Sequence, residues 1–223
     1  MQNSKIKTTS QKSKVLKQSP IKAIFFDLGG VIVWGPRSTI VETLVSFLPI
    51  SRKRIEKFYG PRMSELLHKG AETSISLTRK ACKCFGIRPP TAREVALQFS
   101  AKYERYKKVS WPVLKLAKKL RRDYCVGLIS DTIAEHVAIN SGRGIFNFFK
   151  PVVLSNRVGL CKPGGAIFRY ALRKARVRPH EAVFIDDLSE NVHGAQRIGI
   201  QAIHFKSVLQ LKRDLKKLGV AWS

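Results

Sequence analysis

"IKAIFFDLGGVIVWG", residues 21–35, is the stretch that decides the fold. A run of strand-forming apolar residues carries the chain to a lone carboxylate, Asp27. Two glycines follow, then a second apolar run. An aspartate that ends a strand and opens a bare turn is either a plain turn or cap residue or part of a site at the strand's C-terminal end. The rest of the chain has to show whether other strands end the same way.

They do. "YCVGLIS" (124–130) and "PVVLS" (151–155) read as buried strands, as do "EAVFID" (181–186) and "QAIHF" (201–205). Between and after them lie amphipathic helices: "WPVLKLAKKLRR" (111–122) with Pro112 in its first turn, 133–141, "GGAIFRYALRKA" (164–175), "SENVHGAQRIG" (189–199) and "LQLKRDLKKLG" (209–219). Strands alternating with helices predict an α/β fold with a Rossmann-like parallel sheet and right-handed crossovers.

Residues 36–110 interrupt that alternation. "STIVETLVSFL", "SRKRIEKFYG", "ETSISLTRKACKCFG" and "TAREVALQFSAKYERY" all repeat apolar residues at three- and four-residue spacing. Ser38 and Thr91 are expected N-caps, and "IRPPT" (87–91) marks a break. The block is too long for a simple crossover. The expected organisation is a basic tail over 1–19, a core over 20–35 and 111–223, and an inserted four-helix-type cap over 36–110.

The 223 residues, 44% of them apolar, are enough to bury a core. No apolar run approaches the ~20 residues that span a bilayer. The first twenty residues hold five lysines, no acid and no apolar stretch of signal-peptide type. Cys82, Cys84, Cys125 and Cys161 form no CxxC pair, so no zinc site is expected, and they read as bystander thiols of a reducing cytoplasm. The 42 Lys and Arg against 15 Asp and Glu give a formal charge of +27, spread along the chain. That charge predicts weak, salt-sensitive adhesion to nucleic acid, with no motif for specific recognition.

In open parallel sheets, ligands bind outside the C-terminal strand ends. Asp27 ends the first strand. Ser130 and Asp131 end the second, Lys162 follows the third in "GLCKPGGAIF", and Asp186 and Asp187 end the fourth. Three carboxylates, a hydroxyl and a lysine on one rim suit phosphoryl transfer. Asp27 can attack phosphorus to form an aspartyl-phosphate that water hydrolyses. The carboxylates repel one another and the phosphate, which calls for a divalent cation, and an all-oxygen set favours Mg²⁺. Lys162 and Ser130 can hold phosphate oxygens. Gly29 and Gly30 let the backbone approach, so that a carbonyl can ligate the metal and an amide can donate to phosphate.

The ordered set "FFDLGGV", "LISD", "CKPGGAIF" and "VFIDDLSENVHGAQRIGI" resembles the haloacid dehalogenase superfamily over nearly all of the chain beyond the tail. The resemblance implies Asp27 as nucleophile and Ser130 and Lys162 as phosphate ligands. It implies Mg²⁺ organised by Asp27, the Gly29 carbonyl, Asp186 and Asp187, with Asn191 in support. The substrate is then a small phosphorylated metabolite. "DLGGVI" resembles the sugar-phosphate phosphatases of the superfamily and the phosphatase-like domains of epoxide hydrolases. One departure stands out: the usual second Asp, the general acid two residues after the nucleophile, is Gly29 here. Two rival readings follow, a metal-free 2-haloacid dehalogenase and a non-catalytic polyanion-binding protein. Dehalogenation would leave Asp186 and Asp187 with no cation to bind. Trp34 and Arg37 follow the first motif, where the resemblance implies a flap leading into the cap. Arg37 either contacts the phosphate's leaving group or is a surface charge, and His68 in the cap has the same two readings. Asp131 either joins the phosphate site or caps the helix after it.

Overall fold

A computed structural model describes residues 20–35 and 39–222. The tail over 1–19, Arg37 and Ser38 lie outside the described residues.

The core is a five-stranded parallel sheet in the order β5-β4-β1-β6-β7. Its strands are β1 (Ala23–Phe26), β4 (Cys125–Ser130), β5 (Val152–Leu154), β6 (Ala182–Asp186) and β7 (Gln201–His204). β1 is the central strand, and its residues alternate between the two faces. Ile24 and Phe26 join one apolar cluster with Leu114, Leu120, Leu211 and Leu215. Ala23 and Phe25 join the other, with Ile167, Phe168, Leu172 and Ala195. Covered on both faces, the sheet reads as near-continuous apolar runs in the sequence. The helices that cover it are α6 (Trp111–Leu120) and α11 (Val208–Lys217) on the first face and α9 (Gly165–Ala175) and α10 (Ser189–Gln196) on the second.

The register determines where the site falls. Phe26 pairs with Leu128 on one side and Ile185 on the other, so the three central strands end side by side. The Asp27 amide extends the ladder by one bond, to the Ile185 carbonyl at 2.8 Å.

The chain leaves the core through β2 (Val33–Trp34) and returns through β3 (Lys108–Val109), and these pair as a two-stranded antiparallel ribbon. Among the described residues between them lie five helices rather than four: α1 (Thr39–Phe47), α2 (Arg52–Phe58), α3 (Pro61–His68), α4 (Ser74–Phe85) and α5 (Ala92–Tyr106). They share an apolar cluster that includes Leu44, Ile55, Leu67, Leu77 and Phe99, with Ile133 as its contribution from the loop after β4. Sequence periodicity misses α3 because "YGP" reads as a break, whereas Pro61 stands in the helix's first turn, where its missing N–H costs nothing. The two-residue ribbon is too short to leave a pattern. A single helical turn, α8 (Ser155–Val158), is likewise added after β5.

The expected cap at Thr91 is present and reciprocal: Thr91 Oγ1 accepts from the Glu94 amide, and Glu94 accepts from the Thr91 amide. The helix after β4, α7 (Ala134–Gly142), starts at Ile133 without a side-chain cap. Asp131 therefore does not cap it.

Candidate active site

Asp27, Lys162 and Asp186, read from the sequence as a set, come together in the folded chain. Lys162 Nζ donates to Asp27 Oδ1 at 2.6 Å and to Asp186 Oδ2 at 2.8 Å. The lysine and Asp186 side chains are 2% and 0% exposed, so these are charges held out of water. Burial alone would push the lysine's pKa down, but Asp27, Asp186 and Asp131 overcome that and hold it firmly as an ammonium. Burial pushes the Asp27 carboxyl up, Lys162 pulls it down and Asp186 pushes it up again.

Asp186 is oriented from its own helix. The Leu188 amide donates to its Oδ1 at 2.8 Å, and Asn191 Nδ2 lies 3.1 Å from both oxygens. Asn191 is buried, and its contact is with Asp186 of the acidic pair. Asp131 Oδ1 accepts from the Lys162 amide at 3.2 Å, which ties the loop after β4 to the lysine loop. Ser130 is buried, and its hydroxyl faces the Asp131 carbonyl at 3.4 Å.

The two glycines differ. Gly30 has φ +77°, and a Cβ there would lie 2.2–2.3 Å from the Asp187 carboxylate. Its amide donates to the Val33 carbonyl at 2.8 Å, inside the turn. Gly30 thus provides room for Asp187, and its amide is engaged within the turn. Gly29 lies outside the left-handed region, and its nearest neighbour would be Asp27 Oδ2 at 4.0 Å. Nothing in the turn forbids a side chain at position 29.

Asp27, Asp186 and Asp187 bring carboxylate oxygens within 4.8 Å of one another. That all-oxygen cluster fits a small hard cation such as Mg²⁺. A cleft of about 820 Å³ opens over it, lined by Asp27, Lys162, Asp187, Trp34 and His68 among others. A second cavity of about 400 Å³ lies beside it, between Gly29 and Ser130 on one side and Tyr59 and Tyr103 on the other. Trp34 is 55% exposed at the mouth of the cleft.

A parallel sheet with a carboxylate-lysine cluster at its switch point, covered by inserted helices, defines a class of α/β hydrolytic sites. The chain belongs to the haloacid dehalogenase-like hydrolases, whose family model matches residues 21–199. It is an enzyme of that family. It is 24% identical over 205 residues to D-ribitol-5-phosphate phosphatase of Bacteroides thetaiotaomicron, covering 87% of this chain and 97% of that protein. Among solved structures it is similar to a HAD family enzyme from Bacteroides thetaiotaomicron in complex with magnesium and inorganic phosphate. That match has a TM-score of 0.69 and 24% identity over 83% of this chain and 94% of that one. A HAD-like family hydrolase from Porphyromonas gingivalis matches with a TM-score of 0.74 and 24% identity, over 89% of this chain and 99% of that one. At these identities the structural likeness establishes the fold alone. Among the described residues no helix is long and apolar enough to cross a membrane.

Proposed function

We propose that this chain is a Mg²⁺-dependent phosphatase that hydrolyses a small phosphate monoester, of sugar or polyol type, through an aspartyl-phosphate on Asp27. The observation that carries the reading is the buried cluster in which Lys162 bridges Asp27 and Asp186, with Asp187 beside them. Asp27, Asp186, Asp187 and the Gly29 carbonyl are the proposed Mg²⁺ ligands. When bound, the cation would offset carboxylate repulsion and draw charge from the phosphate oxygens. Asp27 attacks phosphorus in line with the departing oxygen. Lys162 and the Ser130 hydroxyl hold the equatorial oxygens, where charge spreads in the transition state. Asn191 keeps Asp186 oriented, and Asp131 positions the lysine loop. Helices α1–α5, within residues 36–110, act as the cap that shapes the leaving-group side.

The ribitol-phosphate phosphatase among the relatives supports a polyol or sugar phosphate as substrate. The dehalogenase reading gives the three-carboxylate cluster nothing to do. The non-catalytic reading leaves a complete nucleophile, lysine and acid set without a purpose. Four free thiols fit a reducing compartment and support a cytoplasmic location.

The test is a panel of phosphate esters, ribitol 5-phosphate included, assayed with Mg²⁺ and with chelator, on wild type and Asp27→Asn. Hydrolysis should need Mg²⁺ and should be almost abolished in the folded variant, whose amide is a poor nucleophile. A folded Asp27→Asn protein with wild-type rates would overturn the mechanism. Chelator-resistant halide release from a 2-haloacid would favour the dehalogenase.

A further inference from the structure

The turn after Asp27 leaves a gap in the chemistry. With glycine at position 29, it carries no acid for the departing oxygen. In the phosphatase reading that oxygen would lie between a phosphate held over Asp27 and Lys162 and the rest of the substrate. The place that corresponds to it is the junction of the two cavities. Both cavities are lined by Gly29, Ser64, His68, Lys107 and Asp131.

Two of those side chains already have other hydrogen bonds. Lys107 Nζ donates to the Gly35 carbonyl at 3.4 Å. Asp131 Oδ1 accepts the Lys162 amide. The Ser64 hydroxyl is far too weak an acid to protonate a leaving oxygen, and it faces the histidine. Its Oγ lies 3.3 Å from His68 Nδ1 and accepts from the Tyr59 hydroxyl at 3.3 Å. This arrangement orients the imidazole by its Nδ1 edge and leaves Nε2 as the other edge of the ring.

The backbone that carries the ring is also tied down. The His68 carbonyl accepts from Ser155 Oγ at 2.6 Å, and the same hydroxyl accepts from the Thr132 amide at 3.0 Å. One serine of the core thus pins the end of α3 and the loop after β4 together. At Gly70 a Cβ would lie 2.5 Å from the Asn156 carbonyl oxygen, so α3 and α8 are in direct contact there.

We propose that His68 is the proton donor and acceptor of the reaction, in the office left empty at Gly29. The inference rests on the phosphatase reading above. In the first half, an Asp27 oxygen bonds to phosphorus and the bond to the leaving oxygen breaks. That oxygen takes the Nε2 proton of the imidazolium and departs as an alcohol. In the second half, water adds to the phosphorus and gives a proton to the neutral ring. The bond to Asp27 breaks, returning carboxylate, imidazolium and inorganic phosphate.

The groups that face the ring set its titration. Burial holds the His68 pKa below the usual histidine value, with Lys162 on the β5 loop lowering it further, against the raising effects of Asp131 on the β4 loop and of a hydrogen bond to the Ser64 backbone. His136 on α7 interacts with it, and Lys107 beside β3 shares both cavities. A bound phosphate dianion adds a raising contribution, which favours the acid form when it is needed.

The experiment measures kcat/KM with Mg²⁺ for p-nitrophenyl phosphate and ethyl phosphate, across pH, for wild type, His68→Gln and His68→Asn, with folding checked by melting. The aryl group leaves without help and the alkyl group does not. The variants should lose on the order of 10²-fold or more on ethyl phosphate and far less on the aryl ester. They should also lose the limb on which wild-type kcat/KM falls as pH rises through the imidazolium pKa. Equal losses on both esters with the wild-type pH profile kept would make His68 a positioning residue and overturn the inference. Undiminished ethyl phosphate turnover in either folded variant would do the same. A wild type that hydrolyses neither ester would instead fail the phosphatase reading, and this inference with it.

Discussion

Gly29 and Gly30 look alike in sequence and have different jobs. Gly30 needs glycine twice over, for its φ of +77° and for the Asp187 carboxylate that occupies the space of a Cβ. Gly30→Ala should keep most of the fold but displace Asp187, and activity should require much higher Mg²⁺; titration of rate against Mg²⁺ checks it. Gly29 has neither constraint. Gly29→Asp should therefore fold with a near-wild-type melting temperature. In a His68→Gln background it should restore part of the lost rate on alkyl phosphates, because the new carboxyl faces the departing oxygen from the Asp27 turn. A double variant no better than His68→Gln alone would place the missing proton elsewhere.

The elements show how local signals work and where they stop. The capping box at Thr91 was legible because its donor and acceptor are three residues apart. Thr91→Ala should cost about 1 kcal/mol and lower the melting temperature by roughly 2–4 °C for a chain of this size. The rate on p-nitrophenyl phosphate should not change, since Thr91 touches neither cavity. A larger loss would mean that α5 depends on this cap for more than its first turn. Helix α3 is the opposite case. It is eight residues long, begins at a proline after a glycine and buries only Leu67. Its place is set by the Ser155 hydroxyl, 87 residues away from the carbonyl it binds. No periodicity in the sequence could announce that contact.

At the scale of the whole molecule, the seam between the inserted helices and the core has its own acid sensitivity. His136 on α7 stacks on Tyr103 of α5 with ring centroids 3.9 Å apart, and Asn140 Nδ2 donates to the tyrosine hydroxyl at 2.8 Å. Burial pushes the His136 pKa down from 6.5 to about 3. The unfolded chain therefore takes up a proton near pH 6.5 that the folded chain refuses until about pH 3. The stability that goes with the neutral ring is whole above pH 6.5 and declines as the pH falls toward 3, by at most about 1.4 kcal/mol per pH unit. His136→Phe keeps a ring against Tyr103 and removes the titration. Its melting temperature should fall less than that of wild type between pH 7.5 and 5. Parallel curves would show that His136 is hydrated and free to ionise.

What the sequence determined by itself is the order of the core strands and the main helices between them, the family resemblance and the residues at the strand ends. Each of those follows from local pattern. Apolar runs of strand length bounded by turns predict strands, and residues that end adjacent parallel strands must meet at one edge of the sheet. Asp27, Ser130 and Asp186 were legible for that reason, and Lys162 from its place in the loop after the third strand. The tertiary structure alone decided that the Lys162 ammonium lies between Asp27 and Asp186, that Gly30 and not Gly29 is the crowded glycine, and that His68 stands where the two cavities join. These facts depend on contacts between groups tens of residues or more apart in the chain, whose distances are set only when helices and sheet pack, and no local pattern encodes them.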